Sequence, residues 1–377
     1  MISNSFYPDW DYGPSDIIRT FLDIKNIEIS MLNSAQKRVI DEILEDDSTP
    51  TIDSIKILSE IFNCDKVFWE NIFKQYERNI IRLKETEVDE NYVEFNDLLN
   101  EMTKKNWLSK SKYASINQAN LKAFFNTPSH ESLDSDTILE NTIDSSRFKR
   151  IGDYISSDFN LAALVQKAEW ELKKQNVIAP WSPQLFSENL QKIKLLSKKK
   201  GIDNFSRELN ELCNAAGVGL VILETLPKTP IRGISKFTNN GKPLIIITTK
   251  YNKDYIFWQT FFHEAAHLIL HSDQKIHLDE GDVQIPSLTN PMEVEADNFM
   301  VNTLLHPFKL SEVIEKIDFK LMKKDKLGSW RNIVNVAEQI QISPSLLTGL
   351  LKREEKIPYR YFNEGHKPVF HSDSDNI

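Results

Sequence analysis

Cysteine and glycine are both scarce in this chain of 377 residues, with two of the former, Cys64 and Cys213, and 11 of the latter. Two cysteines so far apart form neither a disulfide framework nor a Cys-x-x-Cys metal site, and the expectation is a reducing, cytoplasmic compartment. Text poor in glycine and rich in Lys, Glu, Leu and Ile is expected to be mainly helical. No apolar run approaches the roughly 18 residues that a membrane span requires, so no membrane partner is expected. The opening MISNSFYPDWDYGPSD lacks the basic stretch and apolar core of a signal peptide. Positive charge is not in excess either: 46 Lys and Arg face 55 Asp and Glu, a formal net charge of −9. That balance argues against a chain-wide, non-specific nucleic-acid binder. Hydrophobic residues at 40% beside 27% charged exclude a mostly disordered chain.

Hydrophobic periodicity gives the organisation. Ile17, Ile18, Phe21 and Leu22 share a helical face, as do Val39, Ile40, Ile43 and Leu44. Asp53 reads as the N-cap of a third helix carrying Ile57, Leu58, Ile61 and Phe62, and Lys66–Leu83 follows as a fourth. Four short helices of this kind make a helix-turn-helix bundle over 1–85. A helical connector over 86–200 follows, and a third region spans 201–377. In that third region Val218–Leu223 and Pro243–Thr249 read as strands, and a long helix opens at Asp254. A loop of about 20 residues then leads to a helix over 293–305; loops of that length in compact domains are usually functional. The fold class expected is mainly α (α+β), with a small sheet beside that long helix. The run Lys198-Lys199-Lys200 reads as a solvated helix C-terminus rather than a phosphate contact.

The chemistry concentrates at His263-Glu264-Ala265-Ala266-His267, an HExxH motif. Two histidines at i and i+4 project from one face of a helix and can hold one Zn²⁺ through ring nitrogens. Glu264, one residue on, can take a proton from a water held by that ion and so act as general base. The helix around the motif is strongly apolar, and unpaired polar groups there would be costly. The third ligand is sought in PMEVEADNF. Glu293 and Asp297 are i and i+4 and share a face, so Glu293 can bind the metal while Asp297 orients a ligating histidine. Glu295 projects about 160° away from Glu293 and is the less favoured alternative ligand. His271 lies one turn after His267. The pattern HExxHxxGxxH fails, because Leu270 stands where glycine is required and no histidine follows at 273. His271 is therefore expected to support the site rather than ligate. His277, Asp279, Glu280 and Asp282 read as a solvated acidic loop. Two imidazoles and a carboxylate suit other divalent ions besides zinc.

These residues resemble a known family. FWQTFFHEAAHLILH, from Phe257 to His271, with EVEADNF and the following LLHP, is similar to the ImmA/IrrE-type metallopeptidases. The resemblance implies a zincin-like domain, Zn²⁺ and a thermolysin-like ligand set. In that set the downstream ligand is the Glu of ExxxD, which maps onto Glu293 and Asp297. The N-terminal FYPDWDYGPSDIIRTFLD, with Phe68-Trp69 and Tyr76, resembles HigA-like (XRE-type) helix-turn-helix proteins. ISPSLLTGLLKREEKIPY, with Asn363, resembles the tail of fusions joining the two modules. The resemblance implies a cytosolic regulator that cleaves a specific repressor, toxin or other partner protein, within a toxin–antitoxin, phage or stress-response module. A non-catalytic antitoxin or promoter-binding repressor is the alternative, and a homodimer is open to either.

One region departs from that pattern. The expected recognition helix, Gln36–Asp47, offers Lys37 and Arg38 to DNA against Asp41, Glu42, Glu45, Asp46 and Asp47. Residues 1–85 hold 10 Lys and Arg against 16 Asp and Glu, a balance of −6 that should repel a phosphate backbone. A protein-binding or dimerisation module is the competing reading. Ile333–Ile340 and Pro344–Lys352 are expected to pack on the peptidase core, since Lys352 and Arg353 are too few for nucleic-acid binding.

Overall fold

A computed structural model describes residues 13–46, 50–84, 88, 90–128, 131–133, 138, 142, 155–175, 177–229, 231–272, 276–279, 290–321 and 326–370. The described residues are mainly helical with one small sheet, and the chain divides into two compact units, Met1–Ile138 and Leu139–Ile377. No helix among the described residues is long and apolar enough to cross a membrane.

The first unit holds α1 (Pro14–Lys25), α2 (Ser34–Asp46), α3 (Ile52–Phe62), α4 (Lys66–Lys84), α5 (Asn96–Lys104) and α6 (Ala114–Phe124). Ile18, Leu22, Val39, Ile40, Ile43, Leu58 and Phe62 bury their side chains in one core with Trp69 and Phe73. Trp69 stacks on Phe73 with ring centroids 5.8 Å apart. The cap of α3 differs from expectation. Thr51, not Asp53, is the N-cap, and its Oγ1 accepts the Ser54 N–H at 3.2 Å. Asp53 instead sits in the first turn, where its charge suits the helix dipole. Between α1 and α2 only a single 3₁₀ turn forms, at Ile29–Met31. On α2 both Lys37 and Arg38 are exposed, and Arg38 Nε pairs with Glu42 Oε1 at 3.6 Å. Asp47 and residues 1–12 lie outside the described residues.

The second unit opens with α7 (Ile155–Gln175), α8 (Pro183–Leu196) and α9 (Ser206–Ala215). The sheet comprises β1 (Gly219–Leu223), β2 (Gly233–Phe237), β3 (Pro243–Thr248) and β4 (Ile276–Asp279), in the order β1-β3-β2-β4. β1 runs parallel to β3, with Gly219 opposite Leu244. The β2 pairings to β3 and β4 are antiparallel, with Ile234 opposite Ile246 on one side and Leu278 on the other. β3, with its run Leu244–Ile247, is buried throughout, as a central strand with both faces covered requires. β2 and β4 were not expected. β2 lies in a stretch that reads as Pro/Gly/Asn-rich turn, and its alternation is only five residues long. β4 lies inside the span read as a loop.

Against β2 and β3 packs α10 (Asp254–Leu270), followed by α11 (Pro291–Leu305), α12 (Leu310–Lys316), α13 (Lys326–Ile340) and α14 (Pro344–Arg353). Every residue of α10 from Tyr255 to Leu268 is buried. It is a core helix, buried on every side, rather than an amphipathic one. α11 and α14 cover the sides that the sheet leaves open. The α10–α14 contact depends on Gly349. A Cβ there would lie 2.4 Å from Tyr255 Cδ2 and 2.9 Å from Gln259 Nε2. Gly349→Ala is therefore expected to push α14 off α10 and destabilise this unit by about 1–3 kcal/mol. A lowered urea midpoint measures the effect, and an unchanged midpoint would contradict this packing.

Candidate metal centre

The site is built from two helices that meet at one buried point. α10 carries His263 and His267 one turn apart, so both rings leave the same face. α11 begins with Asn290, whose Oδ1 accepts the Met292 N–H at 3.1 Å, and Pro291 occupies the first helical position. That start sets Glu293 and Asp297 on the face turned to α10.

The donor atoms converge. One ligand atom each from His263, His267 and Glu293 lies within 4.8 Å of the others. His263 Nε2 and His267 Nε2 are 3.1 Å apart. Glu293 Oε2 is 3.0 Å from His263 Nε2, and Glu293 Oε1 is 3.4 Å from His267 Nε2. Ligands held at about 2.0–2.1 Å around one tetrahedral cation are separated by about 3.3 Å. The spacing of this group therefore fits a single divalent ion, and these three residues could hold one.

The outer atoms of both rings are also engaged. Asp297 Oδ1 lies 2.8 Å from His263 Nδ1. With Nδ1 as the donor, Nε2 keeps its lone pair turned toward Glu293. His267 Nδ1 is 3.1 Å from His271 Nδ1, and His271 Nε2 is 3.0 Å from Glu295 Oε2. A consistent proton arrangement runs outward: His267 donates to His271, and His271 donates to Glu295. Glu295 is thus kept out of the ligand group. Its side chain is 65% exposed, and it anchors the histidine that orients His267. His277 and Asp279 fall on β4, and Glu280 and Asp282 lie outside the described residues.

Electrostatics favour a cation here. Burial pushes the His267 imidazole below its ordinary pKa, keeping it neutral, although Glu293 pulls the other way. Burial alone would raise the Glu293 carboxyl, but its close contacts with the His263 and His267 rings outweigh that and hold the group well below the carboxylate range. Asp297 is likewise held low: burial opposes ionisation, while His263 and the Arg353 guanidinium overcome it. An ionised Glu293 beside a neutral His267 is the protonation state that a divalent cation requires.

Comparison with protein families and with curated proteins finds no match.

Two residues of the site escape sequence reasoning. The first is Arg353, at the last turn of α14, whose Nη2 is in direct contact with Asp297 Oδ2. Its one sequence signal is a guanidinium closing an otherwise leucine-rich helix, which also fits a solvated end. The second is Gly233 on β2. A Cβ there would lie 2.7 Å from Glu264 Oε1 and 2.5 Å from Thr260 Cγ2. The strand backbone thus presses on Glu264, which is fully buried. Glycine at the head of a short strand is the signal, since it often marks close backbone approach.

Arg353→Met should leave the three donors in place but free Asp297 to turn away from His263. Metal affinity is expected to fall about 10–100-fold, the usual effect of removing a partner behind a ligating histidine. Competition with a chromophoric chelator reads this directly, and an unchanged affinity would remove Arg353 from the site.

Proposed function

We propose that the chain is a zinc-dependent endopeptidase of ImmA/IrrE type that cleaves a specific regulatory or partner protein. In this reading an N-terminal HigA/XRE-like helix-turn-helix module precedes a helical connector and a zincin-like domain. The observation that carries it is the convergence of His263, His267 and Glu293 within 4.8 Å, with Glu264 one residue from the first ligand on the same buried helix. Two imidazoles and one carboxylate are the protein donor set of one class of hydrolytic zinc site.

A zinc ion bound there would supply Lewis acidity, making a water a stronger acid and a peptide carbonyl a better electrophile. The remaining work falls to the chain's own side chains. Glu264 takes the proton as the water adds to the carbonyl carbon. The same carboxyl then returns it to the amine nitrogen as the C–N bond breaks. Gly233 limits where the Glu264 carboxylate can sit, and Thr260 flanks the same contact. Asp297, braced by Arg353, keeps His263 in one tautomer and orientation, and His271 does the same for His267.

DNA is a weaker candidate partner than protein. Lys37 and Arg38 stand on α2 among acids, and Arg38 is already paired with Glu42. A protein partner bound through the first unit agrees better with that charge.

Glu264→Gln is expected to reduce cleavage by about 10²–10⁴-fold while the protein still binds one zinc per chain. New N-termini, profiled in a host-cell lysate treated with either form, give the first readout, and elemental analysis of the purified variant gives the second. Undiminished cleavage by Glu264→Gln would overturn the mechanism. A metal-loaded wild type that generates no new N-termini, yet still silences its partner, would favour the non-catalytic antitoxin. Zinc removal by chelation should abolish cleavage and lower the thermal midpoint of the second unit together, because binding stabilises the folded state alone.

A further inference from the structure

A cavity of about 670 Å³ opens in the second unit where α8 ends and where α10 and α14 begin. It lies apart from the metal ligands, and its chemistry is independent of the peptidase reading. Four lysines line it, Lys198, Lys199, Lys200 and Lys367, against two acids, Asp254 and Glu338. Glu338 is paired with Lys198 at 2.7 Å, and Lys199 is paired with Glu208. Lys200 and Lys367 form no ion pair among the described residues, and both are exposed. The Asp254 carboxylate is occupied within the protein: its Oδ1 accepts from Ser345 Oγ at 2.6 Å, from Tyr255 N at 2.9 Å and from Lys367 N at 3.3 Å.

Aromatic residues also line the cavity. Trp330 and Phe362 lie with ring centroids 5.6 Å apart and planes 37° apart, and Leu327 and Ile342 extend the apolar surface. The first turn of α14 contributes to the lining as well. Pro344 has no N–H, and Ser343 Oγ takes the Leu346 N–H at 3.1 Å, which leaves the Ser345 N–H and the positive end of a ten-residue helix at the cavity. Cationic side chains, a helix N-terminus and aromatic rings share one space of ordinary ligand size.

We propose that this cavity binds a small phosphorylated aromatic molecule of the mononucleotide class. Lys200, Lys367 and the start of α14 take the phosphate, and Trp330 and Phe362 take the ring. Neither half suffices alone. A bare phosphate leaves the aromatic wall wet, and a bare nucleoside leaves two uncompensated ammonium groups. The lysine run that reads in sequence as a solvated helix end thus becomes half of a site, because α14 and the Trp330 wall come in from sequence 130 or more residues away.

The test is titration calorimetry on the full chain with AMP as probe, and with adenosine and inorganic phosphate as its separated halves. AMP is expected to bind saturably with Kd at or below about 1 mM, and each half at least about tenfold more weakly. Lys200→Ala with Lys367→Ala should weaken AMP about tenfold or more, because each lost contact is a charge-assisted hydrogen bond. Both lysines are exposed, so the double variant is expected to keep its thermal midpoint. Trp330→Leu should weaken AMP but not inorganic phosphate. No saturable heat from AMP at several times about 1 mM would overturn the proposal. So would unchanged affinity in the double lysine variant, or phosphate alone binding as tightly as AMP.

Discussion

A helix that is greasy on every side yet carries two imidazoles and a carboxylate in mid-span is the constraint from which the second unit derives. α10 buries His263, Glu264 and His267 almost completely among Trp258, Phe261, Phe262 and Leu268. A buried polar group without partners costs about 1–3 kcal/mol, and more when charged. Three such groups on one helix would cancel much of a domain's net stability unless the surroundings answered them. The two rings are answered from two directions. α11 brings Glu293 and Asp297 to the paired rings, and His271, one residue past α10, turns back onto His267. The capped, proline-started turn at Asn290 and Pro291 matters because it fixes the rotation of α11 about its own axis, and so decides which acids face inward.

Asp297 has a second demand on it. A carboxylate shared between His263 and Arg353 is desolvated on both sides, and Arg353 is itself largely buried. Buried ion pairs of this kind contribute little net stability, because desolvation offsets the Coulombic gain. Their value here is orientation: a carboxylate clamped by a guanidinium holds its other oxygen where His263 Nδ1 needs it. The clamp also makes α14 part of the metal centre, although α14 supplies no donor. Gly349 serves the same end from the middle of that helix, since only a missing side chain lets α14 approach Tyr255 closely enough for Arg353 to reach.

How much of this could be read from the letters depends on the range over which each feature is determined. The HExxH spacing is local, and one helical turn suffices to place His263 and His267 together. The i, i+4 relation of Glu293 and Asp297 is equally local, and it separates Glu293 from Glu295 by rotation alone. That the two helices meet is not local, and it entered through the resemblance to a metallopeptidase family and the chemistry of a third ligand. Glu295 shows the limit. Its rotation away from Glu293 is readable, but its contact with His271 depends on where the chain goes after α10 ends. β2 and β4 were missed for a related reason. Each is short, and each becomes a strand because a neighbour offers it a ladder, not because its own residues prefer one. Arg353 and Gly233 act on residues dozens of positions away, through a contact in one case and through the absence of an atom in the other, and the signal each leaves in a single sequence does not name its partner.

α14 joins what the letters keep apart. Its first turn, at Pro344 and Ser345, lines the lysine-rich cavity, and its last residue, Arg353, grips Asp297. A ten-residue helix spans about 15 Å and is stiff over that length, so the two ends cannot move independently. Asp254, the first residue of α10, also lines the cavity and is tied to Ser345 on α14. α14 is therefore tied to α10 at the cavity end and, through Arg353, to α11 at the other. A stiff helix fastened at both ends has few ways to yield. Any ligand that shifts one end must favour a different setting of the whole helix, by no more free energy than its own preference between the two settings supplies.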